Sequence, residues 1–180
     1  MFLHTILMLS IILTGLIFYL TNQSANAYDN YEINFEASLD PHQISSYEDT
    51  DYDWDSRGIT YLSFDTYLGE LYYEVFLEGM SYVEGDDVEI IQIHMGRNNQ
   101  EGPTVLSLCD EKKGEGHCRE GPGLSVEGIL EEKDLKGPLK GASFDELIDL
   151  IESGESYVYV QSRDHPEGEI RGQIGSINLR

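Results

Sequence analysis

The stretch that most constrains the fold is 157–174, where two segments of alternating residues flank a turn. Val158 and Val160 share one face of the first segment, because side chains alternate along a strand. Between the segments, Pro166 fixes φ and Gly168 can take a positive φ, which is the chemistry of a turn. Polar and apolar residues then alternate again. The stretch therefore predicts a β-hairpin.

The returning segment of this hairpin carries two charged residues, Glu169 and Arg171, on the same strand face. Polar faces are ordinary on antiparallel strands. The pattern therefore favours a polar strand face with partly paired charges over a catalytic pair.

Further strands are predicted wherever apolar residues alternate with polar ones. They lie at 31–39, 58–64, 68–78, 88–95, 104–108 and 124–130. One helix is predicted, in which Ser143 is the N-cap, Glu146 completes a capping box and Gly154 supplies the stop. About eight strands, with one short helix before the final hairpin, favour an all-β Greek-key sandwich or barrel.

Residues 1–27 have the features of an export signal. The run at 2–20 is almost continuously apolar, and Ala25 and Ala27 form the small-x-small pattern of a signal-peptidase site. No Lys or Arg precedes the apolar run, which is also long enough to remain as a membrane anchor. Both alternatives predict an exported domain at 28–180.

The charge of the chain excludes several partners. It has 34 acidic and 11 basic residues and a net charge of -23. Nucleic acids and anionic membrane surfaces require clustered Lys and Arg, so neither is an expected partner. Cations and basic protein surfaces remain compatible with this charge, which also serves to keep an exported protein soluble.

Two cysteines, Cys109 and Cys118, flank a polar loop that contains glycine. In an exported protein this arrangement predicts a disulfide, which stabilises by roughly 2–3 kcal/mol in the chain-entropy model. The alternative is a metal site that also uses His117, although the adjacent His117 and Cys118 are awkward to aim at one ion.

The acidic loop at 45–56 offers a second possible metal site. Its carboxylates alternate as at the start of an EF-hand calcium loop, but Trp54 and Thr60 stand where that motif needs glycine and an acid. A solvated acidic loop is the competing interpretation. The four alternating aspartates are Asp49, Asp51, Asp53 and Asp55.

A family resemblance is carried by the closing motif at 166–174, Pro-Glu-Gly-Glu-Ile-Arg-Gly-Gln-Ile, which includes Glu169, Arg171 and Gly172. This run resembles the end of the CHRD (chordin-type) domain. The segment at 91–96 is similar to the family's Ala-His-Ile-His-Gly segment, and the resemblance covers roughly 35–174. It implies a sandwich with immunoglobulin-like or superoxide-dismutase-like topology.

The family's histidines are mostly replaced in this chain. The resemblance places a His-x-His pair and a third histidine on two strands, an arrangement that chelates Cu or Zn well. At these positions the chain has Gln92, His94 and Gln161. Glutamine is a poor ligand for these metals, so we interpret the three as a hydrogen-bonded cluster rather than a metal site.

The sequence lacks the motifs of serine hydrolases, zinc proteases and phosphate-binding loops, and no catalytic role is expected. The resemblance implies an exported binding or structural module without a cofactor, secreted or at the cell surface, whose partner is an extracellular protein or glycan. The alternative is a metal-dependent protein. It would be a calcium-stabilised adhesion module using the aspartate loop, or a degenerate Cu/Zn-dismutase-like site using His94.

Overall fold

Nine strands and one α-helix make up the part of the chain that the computed structural model describes, residues 32–44, 55–80, 88–110, 118 and 124–177. The strands are β1 Glu32–Leu39, β2 Arg57–Asp65, β3 Glu70–Glu78, β4 Val88–Met95, β5 Thr104–Asp110, β6 Leu124–Glu131, β7 Ser156–Ser162, β8 Ile170–Gln173 and β9 Gly175–Ser176. The helix, α1, is Phe144–Glu152. The predicted all-β class is confirmed, as are the predicted helix and its place before the final hairpin.

The strands form two sheets. One has five strands in the order β6-β3-β2-β1-β9, and the other has four in the order β5-β4-β7-β8. The chain leaves the first sheet after β3, forms β4 and β5 in the second, and returns to pair β6 with β3. This is a Greek-key connection, so the predicted Greek-key sandwich is also confirmed.

The core lies between the two sheets and is closed by α1. Phe64 makes edge-on ring contacts with Phe35 at 5.8 Å and with Phe144 of the helix at 5.4 Å. Edge-to-face geometry is favoured because the positive ring edge meets the negative ring face. The buried residues of α1 are Phe144, Leu147, Ile148 and Ile151. Their spacing places all four on one face of the helix, which packs against the core.

The predicted capping box of α1 is wrong. The Ser143 side chain makes no capping hydrogen bond, and the Phe144 N–H donates instead to Oε1 of Glu132, at 3.0 Å. Glu132 lies in a short 3₁₀ turn, Glu132–Asp134, that follows β6. A carboxylate at a helix N-terminus satisfies a free N–H and also interacts favourably with the helix dipole. A residue distant in sequence therefore takes the role predicted for the local pair.

The predicted disulfide is confirmed. Cys109 and Cys118 are bonded, with 5.5 Å between their Cα atoms. Both sulfur atoms are therefore unavailable as thiolate ligands, which rules out the alternative of a metal site at Cys109, His117 and Cys118. His117 itself lies outside the described residues.

Within the described residues, no helix combines the length and apolar character needed to cross a membrane. The apolar run at 2–20 lies outside them, so the choice between a signal peptide and an anchor stays a prediction.

Candidate binding site on the four-stranded sheet

The outer face of the four-stranded sheet gathers the polar residues that the sequence singles out. In the predicted hairpin, Tyr157 pairs with Gln173 and Tyr159 pairs with Arg171. On the other side of β7, β4 places His94 opposite Tyr157, and Gln92 opposite Tyr159. Residues directly opposite on antiparallel strands share a face. Strand alternation thus brings these side chains together while Val158 and Val160 point into the core.

The imidazole of His94 is packed between two tyrosines. Its centroid lies 5.3 Å from the ring of Tyr157 and 5.2 Å from that of Tyr159. Nδ1 lies 2.9 Å from the carbonyl oxygen of Gly102 and donates to it. Nε2 lies 3.3 Å from the hydroxyl of Thr104, so both ring nitrogens have partners.

Burial lowers the pKa of His94 below its ordinary value, and the nearby guanidinium of Arg171 lowers it further. The hydrogen bond to Gly102 and the charge of Glu101 oppose this shift and are outweighed. His94 is therefore a neutral ring at physiological pH, fixed by its neighbours.

Gln92 links His94 to a polar network between β4 and β5. Its Oε1 accepts from the Thr104 hydroxyl at 3.0 Å, the group that also lies against Nε2 of His94, and its amide nitrogen donates to Asp110 Oδ2 at 3.2 Å and to Ser107 Oγ at 3.3 Å. Lys136 donates to the same Ser107 hydroxyl at 3.1 Å. Sequence analysis missed Ser107, Asp110 and Lys136, because irregular pairing between β4 and β5 decides which residues meet.

Arg171 holds the loop after β4 against the sheet. Its side chain is 2% exposed, and it donates to the carbonyl oxygens of Gln100 at 2.9 Å and Arg97 at 2.7 Å. The guanidinium carbon lies 3.4 Å from the centroid of the Tyr157 ring, a close cation–π contact. The positive charge is thus stabilised by carbonyl dipoles and an aromatic face.

Glu169 has a different partner from Arg171. Its carboxylate is fully buried and accepts a 2.6 Å hydrogen bond from the hydroxyl of Ser56, which precedes β2. Both charged residues are therefore enclosed and tie the hairpin to other segments. The expected polar strand face is present, but its two charges bind separate partners, because other segments of the chain cover this face.

Gly172 allows β8 to approach the end of β1 closely. A Cβ atom at this position would clash with the carbonyl oxygen of Ser38 and would lie 2.6 Å from Cδ2 of Leu39. Next to this contact, Asp40 and Arg171 exchange two backbone hydrogen bonds of 3.0 and 3.2 Å. The three residues of the closing motif, Glu169, Arg171 and Gly172, thus hold parts of the domain together.

A half-open cavity of about 200 Å³ lies over this sheet face. Gln161 lines it together with His94, but the Gln161 amide donates to the Pro166 carbonyl at 2.8 Å. Gln92 and His94 thus meet at the Thr104 hydroxyl, whereas the Gln161 amide lies 3.5 Å from the hydroxyl of Tyr159. The remaining lining residues are Ile44, Glu101, Gly102, Tyr157, Tyr159, Glu167 and Arg171.

The family model for the CHRD domain matches residues 35–174, which include β1 from Phe35 onward and all of β2 to β8. The chain belongs to the CHRD domain family. Comparison with curated proteins gives no match. Membership of the CHRD family fits a general role as an extracellular module.

In the part of this CHRD domain that the structure describes, no three residues among His, Cys, Asp and Glu lie close enough together to bind a metal ion. Asp55 is exposed at the start of a described segment. Asp49, Asp51 and Asp53 lie outside the described residues, so the calcium hypothesis stays a prediction.

Proposed function

We propose that this CHRD domain is an exported, non-catalytic binding module that recognises an extracellular protein or glycan through the cavity on its four-stranded sheet. The observation that carries the proposal is the fixed geometry of the cavity wall. Export is supported by the predicted signal or anchor and by the disulfide, a bond typical of oxidising compartments.

The cavity wall has the character of a recognition surface. The hydroxyl of Tyr159 donates to the Glu167 carbonyl at 2.5 Å, and the hydroxyl of Tyr157 accepts from the Gly102 N–H at 3.2 Å. These bonds hold aromatic rings beside exposed carboxylates without further ordering cost, and such preorganisation favours binding. Aromatic residues are also enriched in protein interfaces.

The hydrogen bonds of the residues at this cavity also argue against a catalytic role. A general base needs a group with a free lone pair and a pKa near the working pH. The ring nitrogens of His94 have partners, and its pKa is lowered by burial. The buried groups of Arg171 and Glu169 also bind parts of the domain itself.

The test is a binding screen with the full chain recovered from an exporting host. Immobilised oligosaccharides are screened first, followed by fragments of extracellular proteins. We expect saturable binding that Glu167→Ala weakens by about fivefold, the effect of losing about 1 kcal/mol of contact energy. Glu152→Ala is the matched control, because Glu152 is an exposed glutamate on α1 away from the cavity wall.

Two outcomes would contradict the proposal. Equal binding by both variants and the parent would place recognition elsewhere on the molecule. Chemical conversion of a bound probe, detected by mass spectrometry and abolished by His94→Gln, would show that the cavity is catalytic.

A further inference from the structure

The outer face of the five-stranded sheet carries a second surface, which we call the β2–β3–β6 face. It exposes three aromatic side chains and one aliphatic side chain on adjacent strands. They are Tyr61 of β2, Tyr72 and Phe76 of β3, and Ile129 of β6, with exposed fractions of 38%, 43%, 38% and 63%. The inward residues of the same strands fill the core, so alternation itself directs these four outward.

Two glutamates face each other at the centre of this surface. The strand register puts Glu74 directly opposite Glu127, and Tyr61 directly opposite Glu74 on the other side. Like charges in opposite positions of a strand pair destabilise a sheet. Among the described residues, no Lys or Arg forms an ion pair with either carboxylate, and Arg57 and Lys133 bind Glu78 and Glu131.

We propose that the β2–β3–β6 face docks an arginine-bearing segment of a partner protein. A guanidinium stacks on aromatic rings and also forms paired hydrogen bonds with carboxylates, so arginine matches both components of the surface. A guanidinium–carboxylate contact is already present at one end of the same sheet face. Nε and Nη2 of Arg57 donate to Oε2 of Glu78 at 3.2 and 3.0 Å.

The negative charge of the chain favours a cationic protein segment over a second copy of the chain, a nucleic acid or an anionic membrane. A second copy of the chain would bring two more glutamates against Glu74 and Glu127, and each copy carries a net charge of -23. A nucleic acid or an anionic membrane would be repelled for the same reason. A cationic protein segment relieves the repulsion between the two glutamates, which gives the pairing a source of affinity.

The experiment uses the full chain and three short synthetic peptides in which Val alternates with Arg, Lys or citrulline. Binding is measured by calorimetry at low and at physiological salt. We expect the Arg peptide to bind most tightly, the Lys peptide more weakly and the uncharged citrulline peptide not at all. Affinity should fall as salt rises, because screening weakens exposed charge pairs.

The double variant Glu74→Gln/Glu127→Gln should weaken binding of the Arg peptide by about tenfold. It should also raise stability, since it removes a like-charge pair, so the weaker binding would not result from unfolding. The control, Asp149→Asn/Glu152→Gln, removes the same charge from the exposed side of α1 and should bind as the parent does. Phe76→Ser should reduce the preference for Arg over Lys without changing the charge.

Three results would overturn the proposal. They are an equal loss of affinity in the control, equal binding of the citrulline peptide, and a dimer in sedimentation that the Glu74→Gln/Glu127→Gln variant alters. The cavity on the four-stranded sheet takes no part in this experiment. Its result is therefore distinguishable from a failure of the binding function proposed above.

Discussion

The contact at Gly172 gives a prediction at the scale of one residue. Gly172→Ala adds a methyl group where the Ser38 carbonyl and Leu39 already lie, so β8 or the end of β1 must move. We expect the free energy of unfolding to fall by about 1–3 kcal/mol, as for other overpacked sites. Urea denaturation measures this change.

Gly175→Ala is the control for this substitution, since no atom beyond its two chain neighbours lies within 4 Å of the position of its Cβ. The control should change stability by less than about 0.5 kcal/mol, as for other surface substitutions. Equal effects in the two variants would show that backbone entropy, rather than the clash, accounts for the loss.

A second prediction concerns the protonation of His94. Its pKa in the folded state lies below the unfolded value of 6.5 because the buried ring resists protonation. The unfolded state therefore binds more protons as the pH falls through that value. The contribution of the neutral His94 ring to the free energy of unfolding is fully present above pH 6.5. It is lost as the pH falls toward the folded pKa.

His94→Gln should flatten the decline in unfolding free energy between about pH 7.5 and 5.5, a range above the titration of most carboxylates. An NMR titration gives the direct check. A folded pKa for His94 above its ordinary value would contradict the prediction.

These residues show what strand alternation predicts and what it does not. The neighbouring positions of Gln92 and His94 follow from their spacing, because residues two apart share a strand face. The burial of Arg171 could not be predicted, since it depends on the loop after β4 lying across the face. Arg171 binds the backbone carbonyls of Arg97 and Gln100, so the side chains of these two residues give no indication of the contact.

At the scale of elements, the N-terminus of α1 depends on a contact distant in sequence. Glu132→Ala removes the carboxylate that accepts from the Phe144 N–H, and we expect a loss of about 1 kcal/mol in unfolding free energy. Ser143→Ala is the control and should have little effect, because its side chain makes no capping bond. Thermal unfolding of the two variants would reverse this order if Ser143 were the cap.

The sequence predicts a strand accurately where polar and apolar residues alternate over many positions. The eight residues or more of β1 and β3 alternate throughout, and their predicted bounds agree closely with the structure. The two residues of β9 are too few to show a period, so this strand was not predicted. The predicted cap of α1 is wrong because the local sequence does not show which distant carboxylate accepts from the first N–H of the helix.

At the scale of the whole molecule, the net charge of -23 predicts a stability that depends on salt. Acidic groups repel one another in the compact state, and this repulsion is screened as ionic strength rises. We expect the melting temperature to rise by a few degrees between about 0.01 and 0.15 M KCl, a change of up to about 1 kcal/mol.

Calcium chloride at matched ionic strength is the comparison for this measurement. General screening predicts similar melting temperatures in the two salts. A distinctly higher value in calcium, lost on adding chelator and in Asp51→Asn/Asp53→Asn, would instead support the calcium hypothesis for the acidic loop.

The class of the fold could be predicted from the number of strands and from the final hairpin, since both are local signals. The order of strands within the sheets was not predicted. It depends on which distant strands meet, as when β6 returns to β3 and β9 reaches β1.

The pairing of the first and last strands has a mechanical consequence. β1 and β9 are antiparallel, with Phe35 opposite Ser176 and Glu36 opposite Gly175, so the polypeptide enters and leaves this sheet edge at the same end. Tension applied through the flanking segments would therefore load the cross-strand hydrogen bonds one after another, as a zipper opens, rather than all at once. Under such tension, β9 would separate from β1 at low force while the disulfide and the four-stranded sheet stayed intact.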